Sequence, residues 1–132
     1  MVRHVSYSYD IRIKKGTPHS EVRSFIGKMA ADAGLSCIHS RANGGQVVLL
    51  TIDGHCSYND DALYEVLVQY ESIVEIGSFT FYDWDYDRYW RICFDPTDGH
   101  WKEHRGYIAY EENGAAVSDL LKERRSMLPE ES

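Results

Sequence analysis

The sequence predicts an α+β fold, an antiparallel sheet carrying helices on one face. Three observations lead there. Several segments alternate apolar and polar residues at period two, as half-buried strands require. Other segments repeat their apolar residues at helical spacing. Between some strands lie turn residues of hairpin type, so those neighbours run antiparallel. No repeat, low-complexity tract or linker interrupts the 132 residues, and a chain of that size buries roughly two-thirds of the surface its unfolded form exposes. Residues 1–128 therefore read as a single domain and 129–132 as a frayed C-terminal tail.

The elements follow in order. "VSYSYDIRIKK" puts Val5, Tyr7, Tyr9, Ile11 and Ile13 on one face of a first strand. In "GTPHSEVRSFIGKMAADAGL", Thr17 is the candidate N-cap and Pro18 the first helical residue. Val22, Phe25, Ile26, Met29, Ala30 and Ala33 then fall at helical spacing, and Gly34 supplies the stop. "LSCIHSR" and "GQVVLLTIDG" flank Asn43-Gly44-Gly45, turn chemistry that makes them an antiparallel hairpin. A second helix starts from Ser57 or Asn59 as cap, sets Asp60 and Asp61 in its anion-favouring first turn, lines up Leu63, Val66, Leu67 and Tyr70, and ends near Ser72. "VEIGSFTFYDW" is the fourth strand, and "RYWRICFD" with "HWKEHRGYIAYEE" flank Asp95-Pro96-Thr97-Asp98-Gly99 as a further hairpin. A last helix over residues 115–127 offers Val117, Leu120, Leu121 and Arg124 to one side. The first six elements have the β-α-β-β-α-β order of the ferredoxin-like split-βαβ unit, followed by a β-hairpin and the C-terminal helix.

Composition narrows the classes of partner. Asp plus Glu outnumber Lys plus Arg by 21 to 14, a formal charge of −7, so the field repels nucleic acid and anionic membrane and favours a basic protein partner. Such a partner could itself be a nucleic-acid-binding protein. No segment has signal-peptide or membrane-span length, the longest aliphatic run being "VVLL" at 47–50, so a soluble, cytoplasmic protein is expected. Cys37, Cys56 and Cys93 lack framework spacing and read as free thiols rather than a disulfide scaffold.

The most unusual stretch is "FYDWDYDRYW", residues 81–90, where acids and aromatics alternate. Asp83, Asp85 and Asp87 supply the first three ligand positions of a calcium loop. The sixth position from Asp83, which needs glycine, is however Arg88, and the twelfth, which needs a bidentate glutamate, is Phe94. If the run is extended, the three aspartates share one face, spaced roughly 6.6–6.8 Å apart, and Tyr82, Trp84 and Tyr86 share the other. That spacing is of the order of phosphates along a nucleic-acid strand, and the segment then offers either a docking surface or a strand whose aromatics are core.

Other constellations carry less. Cys37, His39, His55 and Cys56 are zinc-type ligands, but a hairpin centred near Gly44 pairs Cys37 with about Thr51, leaving His55 roughly 13 Å too far along. No metal and no cofactor is expected. His100 and His104 are four apart on a strand, too far for one site. Cys93, His104 and Glu103 share a hairpin and contain the residue types of nucleophilic catalysis. An RNA-binding face needs aromatics on central strands, and "QVVLLTID" has none. "ANGGQ" joins strand to strand, so it cannot aim a helix N-terminus at a phosphate.

The pattern Asp87, Trp90-Arg91, Phe94-Asp95 and Tyr110-Glu111-Glu112 in the C-terminal third resembles small uncharacterised proteins of bacteriophages and actinobacteria. The resemblance implies a phage or mobile-element origin and carries no assigned activity.

Taken together, the expected function is that of a small acidic, non-enzymatic binding protein that inhibits or neutralises a basic protein partner, in the manner of phage anti-defence, anti-CRISPR-like or immunity proteins. Tyr82, Trp84, Tyr86 and Tyr89 are its candidate anchors, with Asp83, Asp85, Asp87, Asp60 and Asp61 as steering acids. One alternative is a small hydrolase or nucleotide-processing enzyme using Asp95, His100, Glu103 and His104. Another is a homo-oligomeric structural subunit whose exposed aromatics form the self-interface.

Overall fold

A computed structural model describes residues 2–41, 44–106 and 114–127, with side chains for 5–37, 44–51, 61–105 and 114–126. Its strands are β1 (Val2–Ile13), β2 (Ile38–Arg41), β3 (Val47–Asn59), β4 (Val74–Asp83), β5 (Arg88–Asp95), β6 (His100–Gly106) and the two-residue β7 (Ala115–Ala116). The helices are α1 (His19–Ala33), α2 (Asp60–Gln69) and α3 (Val117–Met127), with a 3₁₀ turn at Glu71–Ile73. All strand pairs are antiparallel, in the order β2-β3-β1-β4-β5-β6-β7. The fold is thus α+β, an open antiparallel sheet with three helices. Among the described residues no helix is long and apolar enough to cross a membrane.

β1 lies inside the sheet, between β3 and β4, and its period-two alternation presents an unbroken apolar face. Val5, Tyr7, Tyr9, Ile11 and Ile13 are all buried, as their spacing predicts. Over them pack Val22, Phe25 and Met29 of α1 and Leu63, Val66 and Leu67 of α2. The helices therefore form one layer, on the face of the sheet that carries these apolar residues. An aromatic ladder crosses the buried face: Tyr9 meets Phe79 at 4.9 Å, Phe79 meets Phe81 at 5.8 Å, and Phe81 stacks on Trp90 at 5.1 Å. Each such side chain contributes about 1.5–3 kcal/mol by leaving water. Trp101 closes the ladder against Phe79 and Phe94. It fits because residue 77 is glycine: a Cβ there would lie 2.8 Å from the indole.

Several boundaries differ from the sequence expectation. The N-cap of α1 is Pro18, not Thr17, whose hydroxyl donates instead to the Lys14 carbonyl at 2.7 Å. Gly34 does end that helix in the left-handed conformation, but Ala30 is exposed. β3 continues through Gly54 to Asn59, because β1 supplies partners as far as Val2. Its register shifts between Tyr7 and Tyr9, where a bulge absorbs the irregular stretch. β7, paired with Lys102 and Glu103, was not foreseen. Asn43, Tyr110, Glu111, Glu112 and the 129–132 tail lie outside the described residues.

Candidate functional site: the tip of the β4–β5 hairpin

The run at 81–90 is not extended, and this corrects the two-faced strand expected for it. β4 and β5 pair out to Asp83 and Arg88, so Trp84, Asp85, Tyr86 and Asp87 form a turn. Asp83 makes the turn. Its Oδ1 accepts the backbone N–H groups of Asp85 at 3.0 Å and Tyr86 at 3.3 Å, the local bonding by which aspartate nucleates turns. Asp83 is 1% exposed, on the helix side of the sheet, and its Oδ2 has no hydrogen-bond partner among the described residues. A buried carboxylate cannot touch a docking protein, so Asp83 supports the site from below. The turn closes at Asp87 with a φ of 50°, the one positive-φ non-glycine position among the described residues.

The aromatics lie on the solvent face. Strand register aligns Ser6, Tyr82 and Tyr89 in one row across β1, β4 and β5. Trp84 folds back over this row and donates its indole N–H to the Ser6 hydroxyl. Its ring meets Tyr82 edge-on at 4.7 Å and 74°, and Tyr82 packs against Tyr89 at 4.5 Å. The Tyr82 hydroxyl donates to Asp87 Oδ1 at 3.0 Å, and that bond to an anion raises the phenol's pKa. Trp84 is 63% exposed, Tyr86 69% and Tyr89 38%. Trp84, Tyr82 and Tyr89 thus form a contiguous row of rings at the hairpin tip, with Tyr86 exposed in the same turn. No family model matches the chain, and neither a curated protein nor a solved structure matches it.

Sequence reasoning found Tyr82, Trp84, Tyr86 and Tyr89 but missed Ser6, which nothing in the sequence connects to Trp84. Of the candidate acids, Asp85 and Asp87 are exposed at the tip. Asp61 belongs to the helix layer, paired with Arg124 at 2.6 Å, and the side chain of Asp60 lies outside the described residues.

The residues of the enzymatic alternative do not converge. Alternation along β6 puts Trp101 and Glu103 on the helix side and Lys102 and His104 on the other. Glu103 is buried, accepting from the Tyr64 hydroxyl and the Arg105 guanidinium. The sheet therefore separates it from His104 and Cys93. Burial pushes the Cys93 thiol pKa up, against a nucleophilic thiolate. His100 bonds to Glu71 at 3.2 Å, and Asp95 to Lys102 at 2.8 Å. Among the described residues a recess of about 140 Å³ lies beside Lys14, Lys15, His19 and Gly45, and another of about 310 Å³ beside Ser24 and Tyr70. Neither is lined by Cys93, Asp95, His100, Glu103 or His104.

Among the described residues no group of three or more His, Cys, Asp or Glu is placed to hold a metal ion. β2 begins at Ile38, which pairs with Leu50 in the register the sequence predicts, while Cys37 precedes the strand; the side chains of His39, His55 and Cys56 lie outside the described residues. Burial raises the Cys37 thiol pKa, and it raises that of the Tyr9 hydroxyl, which donates to the Ser36 carbonyl at 2.7 Å.

Proposed function

We propose that the chain is a non-enzymatic binding protein that docks a basic protein partner through the tip of the β4–β5 hairpin. The observation that carries this reading is the exposure of Trp84, packed on Tyr82 and through it on Tyr89, with Tyr86 exposed in the same turn. Aromatic anchors on a rigid support lose little entropy on binding, and here the support is built in: Phe81 and Trp90 stack directly beneath the turn. Asp85 and Asp87, with the formal charge of −7, steer a cationic partner toward the patch.

Within this reading the protein acts in the cytoplasm as an inhibitor of the anti-defence or immunity type. The strand order supports a ferredoxin-like core: β3 lies between β1 and β2, and β1 between β3 and β4, the split arrangement of two interleaved βαβ units.

The test is a pull-down from a bacterial lysate in low and high salt, using the native chain and a Trp84→Ala/Tyr86→Ala variant. A basic protein retained by the native chain in low salt, released by high salt and not captured by the variant supports the proposal. Equal capture by the variant refutes it. If light scattering instead gives a dimer that the same variant dissociates, the patch is a self-interface.

A further inference from the structure

The hairpins at the two ends of β5 have the same plan. Asp83 pairs with Arg88 and Asp95 with His100, so each turn spans four residues, and each opens on an aspartate that accepts the backbone N–H two residues on. Each also closes on a residue of positive φ: Gly99 at 77° in one, Asp87 at 50° in the other. Glycine enters that region without strain, whereas an L-residue is disfavoured there even when it is aspartate. The β4–β5 turn thus carries a carboxylate where its twin carries glycine.

That carboxylate is positioned rather than free. One oxygen accepts from Tyr82, whose ring abuts Trp84, while no donor among the described residues reaches the other. The Asp85 carboxylate likewise has no partner among the described residues and stands in the same turn. Arg88 does not neutralise the pair on this face, because it pairs with Asp83 and alternation sends it to the helix side, opposite to Tyr89. The tip therefore carries the exposed Trp84 and Tyr86 rings in the same four-residue turn as a carboxylate oxygen with no partner among the described residues, and Tyr82 touches both Trp84 and that carboxylate.

We infer that the tip takes an arginine side chain of its partner, the guanidinium stacked on the exposed Trp84 ring and hydrogen-bonded at its edge to Asp87. This rests on the docking reading above and narrows it. Guanidinium is planar, weakly hydrated and always charged, so it satisfies ring and carboxylate together. A lysine ammonium is a compact, strongly hydrated point charge that makes one of those contacts well at a time. Nucleic-acid bases also stack on exposed rings, but their phosphates would meet Asp85 and Asp87.

The experiment titrates the full chain with three probes: a nonapeptide rich in arginine, the same peptide with lysine, and a single-stranded oligothymidine. Trp90 and Trp101 are buried at 6% and 0% exposure, so acrylamide quenching of tryptophan emission reports on Trp84. The arginine peptide should protect Trp84 and bind about tenfold more tightly than the lysine peptide. Asp87→Gly should fold, as its twin turn does, and lose about tenfold in arginine-peptide affinity, the size of a charge-assisted hydrogen bond. Equal affinity for the two peptides, or an unchanged Asp87→Gly, overturns the arginine assignment and leaves a basic partner. Protection of Trp84 by oligothymidine, or by none of the probes, overturns the docking reading as well.

Discussion

The two turns at the ends of β5 differ in what they leave unengaged. In Pro96-Thr97-Asp98-Gly99 every acid is occupied: Lys102 Nζ lies 2.8 Å from both Asp95 and Asp98, and each aspartate also accepts a backbone N–H. Those bonds pull both carboxyl pKa values down and push the lysine up. In Trp84-Asp85-Tyr86-Asp87 the turn is held by Asp83 and by the Tyr82 hydroxyl, which donates to one oxygen of Asp87, while Asp85, Trp84 and Tyr86 stay exposed. Acid content alone therefore does not distinguish the two turns. They differ in that one engages its acids in ion pairs and the other leaves acids and rings exposed together.

The sharpest way to break this contrast is truncation. If the tip is a contact surface, Trp84→Ala should cost at least about 2 kcal/mol of binding, roughly thirtyfold in affinity, because buried aromatic anchors dominate interfaces. Thr97→Ala, in the other turn, should leave affinity unchanged; isothermal titration with the captured partner reads both.

Next in size is the turn's anchor. Asp83→Ala abandons two backbone N–H groups and should destabilise the fold by about 1–3 kcal/mol in thermal or urea unfolding. Asp83→Asn should match or exceed the native chain, since it keeps the acceptor and removes a buried charge whose second oxygen lacks a partner. If Asp83→Asn were as damaging as the alanine variant, the carboxylate would have a role beyond the turn.

Exchanging the closing residues should produce opposite signs. Gly99→Asp introduces strain and should lose about 1 kcal/mol, whereas Asp87→Gly relieves it and should gain up to about 1 kcal/mol. Gain of stability with loss of binding at one position would identify Asp87 as held for function. A destabilised Asp87→Gly would mean that its bond to Tyr82 outweighs the strain.

The smallest effect is electrostatic. Because the folded carboxyl pKa values of Asp95 and Asp98 lie below their unfolded values, their stabilisation is complete above about pH 4 and is lost as pH falls through the folded values. Lys102→Met should therefore lower stability at neutral pH and flatten the acid limb of a stability profile. Asp85→Asn, by contrast, should leave that profile alone and slow partner association in low salt.

Much of the fold was legible because it follows from local pattern. The β1 face, most of the α1 stripe with its Gly34 stop, and the antiparallel pairing of β2 with β3 and of β5 with β6 follow the sequence, since alternation, helical spacing and turn glycines each act over a few residues. The misses arose where distant partners override local signals. Gly54, His55 and Cys56 read as the end of a strand, yet β1 holds them in the ladder. Alternating acids and aromatics at 82–87 suggest a two-faced strand, but the run holds a turn at 84–87 without glycine or proline, which Asp87 closes in the left-handed region. Exposure of Trp84, Tyr86 and Tyr89 could not be inferred either, as the same alternation fits a core strand. It depends on which face of the sheet the helices pack against.

The most direct test of the central claim labels the three tryptophans with 5-fluorotryptophan and follows their ¹⁹F resonances as the captured partner is added. The account predicts that the Trp84 resonance shifts and broadens in step with complex formation while those of the buried Trp90 and Trp101 stay in place. A complex that forms with the Trp84 resonance unmoved would contradict it.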